Sequence, residues 1–148
     1  MSERGGANDA LNRTIERLAI TGDGNVLVTG GGGLGYGVGS GGSVTQATSK
    51  STAVTLNKPS GRITMYAATL NAGASVQFTF TNSTITANDG LALSLSTLNL
   101  TSTDDYRLSW SIDNTNPNIA YIVLYNQSAS NLSQAVAINF QVIKGAAS

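Results

Sequence analysis

The sequence predicts an all-β body, an antiparallel β-sandwich or jelly roll of about eight strands, preceded by an arm that holds a short helix and a glycine-rich strap. Three observations predict it. Apolar residues recur at every second position in several stretches after Ser43, the mark of strands with one buried face. Turn residues interrupt that region at roughly 8–12 residue intervals. A helical spacing of apolar residues occurs near the N-terminus, and no second helix is evident. The 148 residues suit one domain plus an extension, since domains most often run to roughly 100–150 residues. The arm is placed at residues 1–42 and the body at 43–148.

From Asn8 to Ile20, Leu11, Ile15 and Leu18 share one helical stripe, with Asn8 placed to cap the start and Gly22 to end it. So short a helix is marginal alone in water and needs a surface to dock on. Packing on its own body and packing on a neighbouring subunit or larger assembly are both open. After Thr21-Gly22-Asp23-Gly24, Asn25 to Thr29 reads as a short strand. The strap Gly30 to Gly42 holds nine glycines, with Leu34, Tyr36 and Val38 spaced two apart. Glycine in such numbers makes a pliable linker, but these apolar side chains suit a segment laid against a surface. Gly37-Val38-Gly39-Ser40-Gly41-Gly42 fits GxGxxG in form. The β-like Ser43 to Thr48 follows it in place of the helix that would hold a pyrophosphate, so no dinucleotide site is expected.

In the body, Val44–Thr48, Ala53–Leu56 and Arg62–Tyr66 read as short strands, with Asn57 to Gly61 turning between the last two. Ser75–Asn82 sends Val76, Phe78 and Phe80 one way and Gln77, Thr79 and Thr81 the other. Asn88-Asp89-Gly90 is a hairpin-type signal. Leu91, Leu93 and Leu95 then share a face, and Leu98 and Leu100 fall out of phase, which predicts a break near Thr97. Asp105–Ile112 places Tyr106, Leu108, Trp110 and Ile112 inward. Val136, Ile138, Phe140 and Val142 alternate with Ala137, Asn139 and Gln141. In the strand from Ile119 to Tyr125, Ala120, Ile122 and Leu124 take one face and Ile119, Tyr121, Val123 and Tyr125 the other, so neither face is plainly polar. The joint Asn126–Gln134 is long enough to return the chain within one sheet or to cross to another.

Only 11% of residues are charged, and eight basic side chains balance eight acidic ones. Short neutral polar residues therefore supply the surface, and such a surface also suits burial against copies of itself or a partner. The absence of cysteine and histidine removes disulfides, thiolate metal sites, the usual general base and the commonest metal ligand. No basic cluster indicates nucleic acid, and no apolar run indicates a signal peptide or membrane span. Synthesis and folding in a cytoplasm are the expectation.

Candidate chemistry is sparse. Asp104 and Asp105 adjoin before a strand, where alternation sends neighbours to opposite faces, whereas a paired general acid and base must face one substrate. Asp89 and Asp113 sit in loops that suit either ordinary turns or a hard cation. No catalytic residue, cofactor or metal is expected, and the chain is read as a non-enzyme. Tyr121, Val123 and Tyr125, on the second face of an already apolar strand, suit either cover by a second sheet or a subunit interface.

Three blocks carry a resemblance. They are Gly35 to Ser51 with Val54 to Met65, then Phe78 to Ile85, then Leu132 to Ala146. Together they resemble a small β-sandwich module of tailed-bacteriophage virions, found in capsid-decorating proteins or fibres. The resemblance implies a virion structural protein, a capsid decoration or cement protein forming a homotrimer. It would dock on the major capsid protein or another virion protein and would contact neither nucleic acid nor membrane. The expected location is the capsid surface, with Leu11, Ile15, Leu18, Leu34, Tyr36 and Val38 as docking residues. The alternative is a head- or tail-fibre protein that grips a host-surface glycan through an aromatic platform of Trp110, Tyr121 and Tyr125.

Overall fold

The computed structural model describes residues 35–96 and 105–146, and the backbone of 18–20 and 26–28. The chain divides into two compact units, Met1–Gly35 and Tyr36–Ser148. In the first, β1 (Leu18–Ile20) pairs antiparallel with β2 (Val26–Val28), Leu18 opposite Val28. This corrects the end of the expected helix. Leu18 to Ile20 are extended, and the β-rich Val26–Val28 segment offers the ladder that a short isolated helix lacks. The remainder of that helix lies outside the described residues.

The second unit holds β3 (Gly41–Thr45), β4 (Val54–Thr55), β5 (Ser60–Thr64), β6 (Ser75–Thr81), β7 (Gly90–Leu95), β8 (Tyr106–Ile112), β9 (Ile119–Asn126) and β10 (Ala137–Ile143). They form two four-stranded sheets, ordered β3-β5-β10-β7 and β4-β6-β9-β8. Among the described residues there is no helix. From β3 to β8 each strand lies in the sheet opposite the one before it. Successive strands of the same sheet therefore run in the same direction, and β3 with β5 and β4 with β6 are parallel pairs. The expectation of a wholly antiparallel sandwich or jelly roll is corrected there: both sheets are mixed. The Asn88-Asp89-Gly90 turn likewise joins two sheets and makes no hairpin. The Asn126–Gln134 joint crosses from β9 in one sheet to β10 in the other.

Alternation places the core between the sheets. Ile63, Ile138, Phe140 and Val142 from the first sheet meet Phe78, Phe80, Ile122 and Leu124 from the second, all essentially inaccessible. The rings of Phe80 and Phe140 touch edge to face across the gap, with centroids 4.9 Å apart, a favoured aromatic geometry. Burying each such side chain contributes roughly 1.5–3 kcal/mol. Gly61 permits a close approach beside this pair. A Cβ there would lie 2.4 Å from the Gly42 carbonyl and 3.0 Å from both Leu56 and Phe140.

Two strands start earlier than the periodicity predicts. The β3–β5 ladder ends at Thr45 and Thr64 because Gln46 turns its side chain back, and its Oε1 accepts the Tyr66 amide. Gly41 and Gly42, assigned to the arm from sequence, belong to β3. The expected break near Thr97 lies outside the described residues.

Candidate functional site

The outer face of the second sheet carries the residues expected at a subunit interface. Tyr121, Val123 and Tyr125 run down β9, flanked by Thr79, Gln77 and Ser75 on β6 and by Ser111, Ser109 and Arg107 on β8. All three are half-buried, whereas Ser75, Gln77, Arg107, Ser109 and Ser111 are exposed. The other sheet covers the opposite face of β9, where Ala120, Ile122 and Leu124 are sealed. The tyrosines are thus packed by their own sheet neighbours.

Each tyrosine is held in place. The Arg107 guanidinium sits over the Tyr125 ring, 4.5 Å from its centre, a cation–π contact. The Tyr121 hydroxyl donates to Asp113 Oδ2 at 2.7 Å. Asp113 Oδ1 accepts from the Thr115 amide and hydroxyl and from the Asn116 amide. The Tyr121 hydroxyl, then the Thr115 and Asn116 donors, hold the Asp113 carboxyl well below the usual range, and the same contact raises the Tyr121 phenol. Trp110 does not join this platform. Register places it beside Ile122 on the inward face of β8, where it is 38% exposed at the sandwich margin.

Of the docking residues, Leu11, Ile15 and Leu34 lie outside the described residues, and Leu18 is described by its backbone in β1 alone. Val38 is fully exposed in a turn, Ser40 N to Gly37 O, with Gly39 at φ 87°. The strand β3 follows that turn, which leaves the GxGxxG match without a helix. Tyr36 is anchored to its own body: its hydroxyl donates to the Val142 carbonyl. The reason lies in the opposite strand. Val142 N donates to Pro59 O at 2.8 Å, but Pro59, having no N–H, cannot return the bond. The Tyr36 phenol supplies the missing donor.

Sequence reasoning missed the polar groups that close the ends of the sandwich. At one end Lys50 is 4% exposed, and its Nζ donates to Tyr66 O and Gln134 O at 2.9 and 2.7 Å. Burial lowers its pKa. Beside it Gln46 Nε2 donates to the Lys50 and Thr52 carbonyls. The Tyr106 hydroxyl donates to Gln134 Oε1, and burial, aided by the Asp105 charge, raises that phenol. At the other end the Asp89 side chain is fully covered and accepts from Thr86 N, Gly145 N and Lys144 Nζ. Burial pushes its carboxyl up, but the Lys144 amine and the two amides outweigh that and bring it to about 2. Asp89 and Asp113 thus spend their oxygens on protein donors. Among the described residues no three His, Cys, Asp or Glu side chains gather as metal ligands.

The first sheet's outer face bears an open groove of about 420 Å³ over β5, β10 and β7, lined by Ser60, Ser94, Asn139 and Gln141 among others. No family model, curated protein or solved structure matches the chain.

Proposed function

We propose that this chain is a non-enzymatic structural protein of a bacteriophage virion, a decoration or cement protein of the capsid. Its β-sandwich body associates with copies of itself, and its arm attaches to the major capsid protein or another shell component. The observation that carries this reading is the Tyr121–Val123–Tyr125 stripe, an amphipathic strip fixed on a rigid sheet and flanked mainly by short uncharged residues, with Arg107 stacked on Tyr125 and Asp113 bound to Tyr121. Such a face gives up little solvation and little side-chain entropy on association. The three sequence blocks that resemble phage virion modules support the same reading, as does the low charge of the surface. Homotrimeric assembly belongs to this proposal, as do docking through Leu11, Ile15, Leu18, Leu34 and Val38 and a location on the capsid surface. Many weak copies can hold a shell together through multivalency.

The fibre alternative loses its aromatic platform, because Trp110 faces away from Tyr121 and Tyr125. Immunogold labelling of purified virions with antibody against the body separates the two. Gold over the head is the expected result, and gold confined to tails or projecting fibres overturns the decoration reading. Sedimentation of the full chain at micromolar concentration tests self-association. A trimer that Val123→Arg converts to a folded monomer is expected, and a monomeric wild type removes the interface.

A further inference from the structure

The groove on the first sheet is independent of that face and of any position on the virion. Register brings Arg62, Asn139 and Ser94 into one row across β5, β10 and β7, with Ser60 and Gln141 in the next. Arg62 Nε donates to Asn139 Oδ1 at 3.1 Å. This single bond does two things. It leaves Asn139 Nδ2 free to donate to a ligand in the groove that Asn139 lines, and it holds the Arg62 guanidinium beside that lining, of which Arg62 is not itself part, with its two terminal nitrogens unused among the described residues.

The charge is also uncompensated. Among the described residues the one ion pair joins Lys144 and Asp89, so half-buried Arg62 has no carboxylate partner. The side chains of Ser60, Ser94 and Gln141 make no hydrogen bond within the described protein. A planar fork carrying positive charge takes a carboxylate in two parallel bonds. The neighbouring amides and hydroxyls match ligand hydroxyl groups. The volume lies at the lower end of ordinary small-ligand sites, roughly 300–1,000 Å³.

We propose that this groove binds a carboxylate-bearing saccharide, with the acid on Arg62 and the sugar hydroxyls on Asn139, Gln141, Ser60 and Ser94. A peptide carboxylate fits less well, because the outward lining side chains are polar apart from Ala92, while Leu93 and Phe140 turn into the core. With no aromatic ring to stack on, one sugar unit binds weakly, and repeated copies on an assembly supply avidity.

The test is a titration of ¹⁵N-labelled full-length protein with D-glucuronate, followed by amide spectra that include the Asn139 and Gln141 side chains. D-glucose and acetate serve as separated halves of the probe. Saturable shifts at both side chains are expected, with glucose and acetate each at least about tenfold weaker. Arg62→Gln should lose about tenfold in affinity with an otherwise unchanged spectrum, the loss of one charge-assisted contact. Ser94→Tyr, which fills the groove from edge strand β7, provides a second variant and should abolish the shifts. The proposal is overturned by no saturable shift, by acetate matching glucuronate, or by Arg62→Gln binding as wild type.

Discussion

The two ends of the sandwich solve one problem in opposite ways. At both ends strands of the two sheets stop, and their last carbonyls and amides need partners. One end buries a cation, Lys50, among neutral carbonyls, and no carboxylate contacts it. The other buries an anion, Asp89, and gives it the Lys144 amine together with two backbone amides. The pKa of each falls, but for different reasons. Burial works against the charged form of Lys50, whereas for Asp89 the donors outweigh burial and favour the charged form. The Lys50 end depends on many neutral bonds around a strained charge, and the Asp89 end on a charge that is well matched. Its sensitivity to substitution should differ accordingly.

The largest effect is expected at Lys50. Lys50→Ala takes one donor from each of the Tyr66 and Gln134 carbonyls, which keep the Ala68 and Val136 amides, and removes the stem that fills the space. The two lost hydrogen bonds and the cavity left by the stem together predict a loss of about 3 kcal/mol in urea unfolding. Lys50→Met loses the same charge and the same two hydrogen bonds but keeps most of the stem, and should lose less than Lys50→Ala. Equal losses in the two variants would mean that packing of the stem contributes nothing.

A matched pair of asparagines sharpens the comparison. Asn126, at the Lys50 end, donates from Nδ2 to the Leu70, Asn71 and Ser130 carbonyls and accepts from Ser128. Asn82, at the Asp89 end, donates to Lys58 O alone and accepts from Thr84. Both are fully buried. Asn126→Ala should cost about 3 kcal/mol and Asn82→Ala about 2 kcal/mol, in the order of the side-chain hydrogen bonds lost, five against three. Thermal unfolding of the two variants side by side measures the order, and a reversed order would break the assignment of the ends.

The charges also predict a pH dependence. Asp89 in the folded chain holds its proton less tightly than in the unfolded chain, with a pKa of about 2 against an ordinary 3.8. Its contribution is therefore fully present above 3.8 and is lost as pH falls toward about 2. Lys50 obeys the same sign in another window. Its folded pKa lies below the ordinary 10.5, so its penalty is present at neutral pH and fades as pH rises toward 10.5. Asp89→Asn should make the acid limb of a stability–pH curve shallower between pH 2 and 4, with the part that Asp113 supplies remaining, and leave the alkaline limb unchanged. An acid limb as steep in the variant as in wild type would place the dependence on another carboxylate.

What the sequence made legible follows the same division. The alternations in Ser75–Thr81 and Ala137–Ile143 told which side chains enter the core, because a period of two is set by the backbone itself. They did not tell which strands pair, since periodicity carries no partner information, and the parallel pairs went unread. Lys50 and Gln46 were invisible as interior residues because their types signal surface. Several residues in the blocks that carry the phage resemblance serve the scaffold. Gln46 and Lys50 close one end, Gly61 allows the Phe140 contact, and Asn57 accepts the Ser83 amide. The Arg62 groove could not be read at all, because it is assembled by register across three strands distant in sequence.

The smallest expected effect tests how the strap meets the body. Tyr36 fills a vacancy that Pro59 creates, so its hydroxyl matters only while residue 59 has no N–H. Tyr36→Phe should cost about 0.5–1.5 kcal/mol, the ordinary net value of one hydrogen bond. In a Pro59→Ala background residue 59 regains an amide that points at the Val142 carbonyl, and the same Tyr36→Phe change should then cost a few tenths of that or nothing. The double-mutant cycle isolates this coupling from whatever Pro59→Ala does by itself through the unfolded chain. Additive losses would show that the phenol and the proline are unrelated and that the strap gains no hold on the body from Tyr36. Coupling would identify the strap's attachment as the repair of a sheet defect, which leaves the fully exposed Val38 available to a partner.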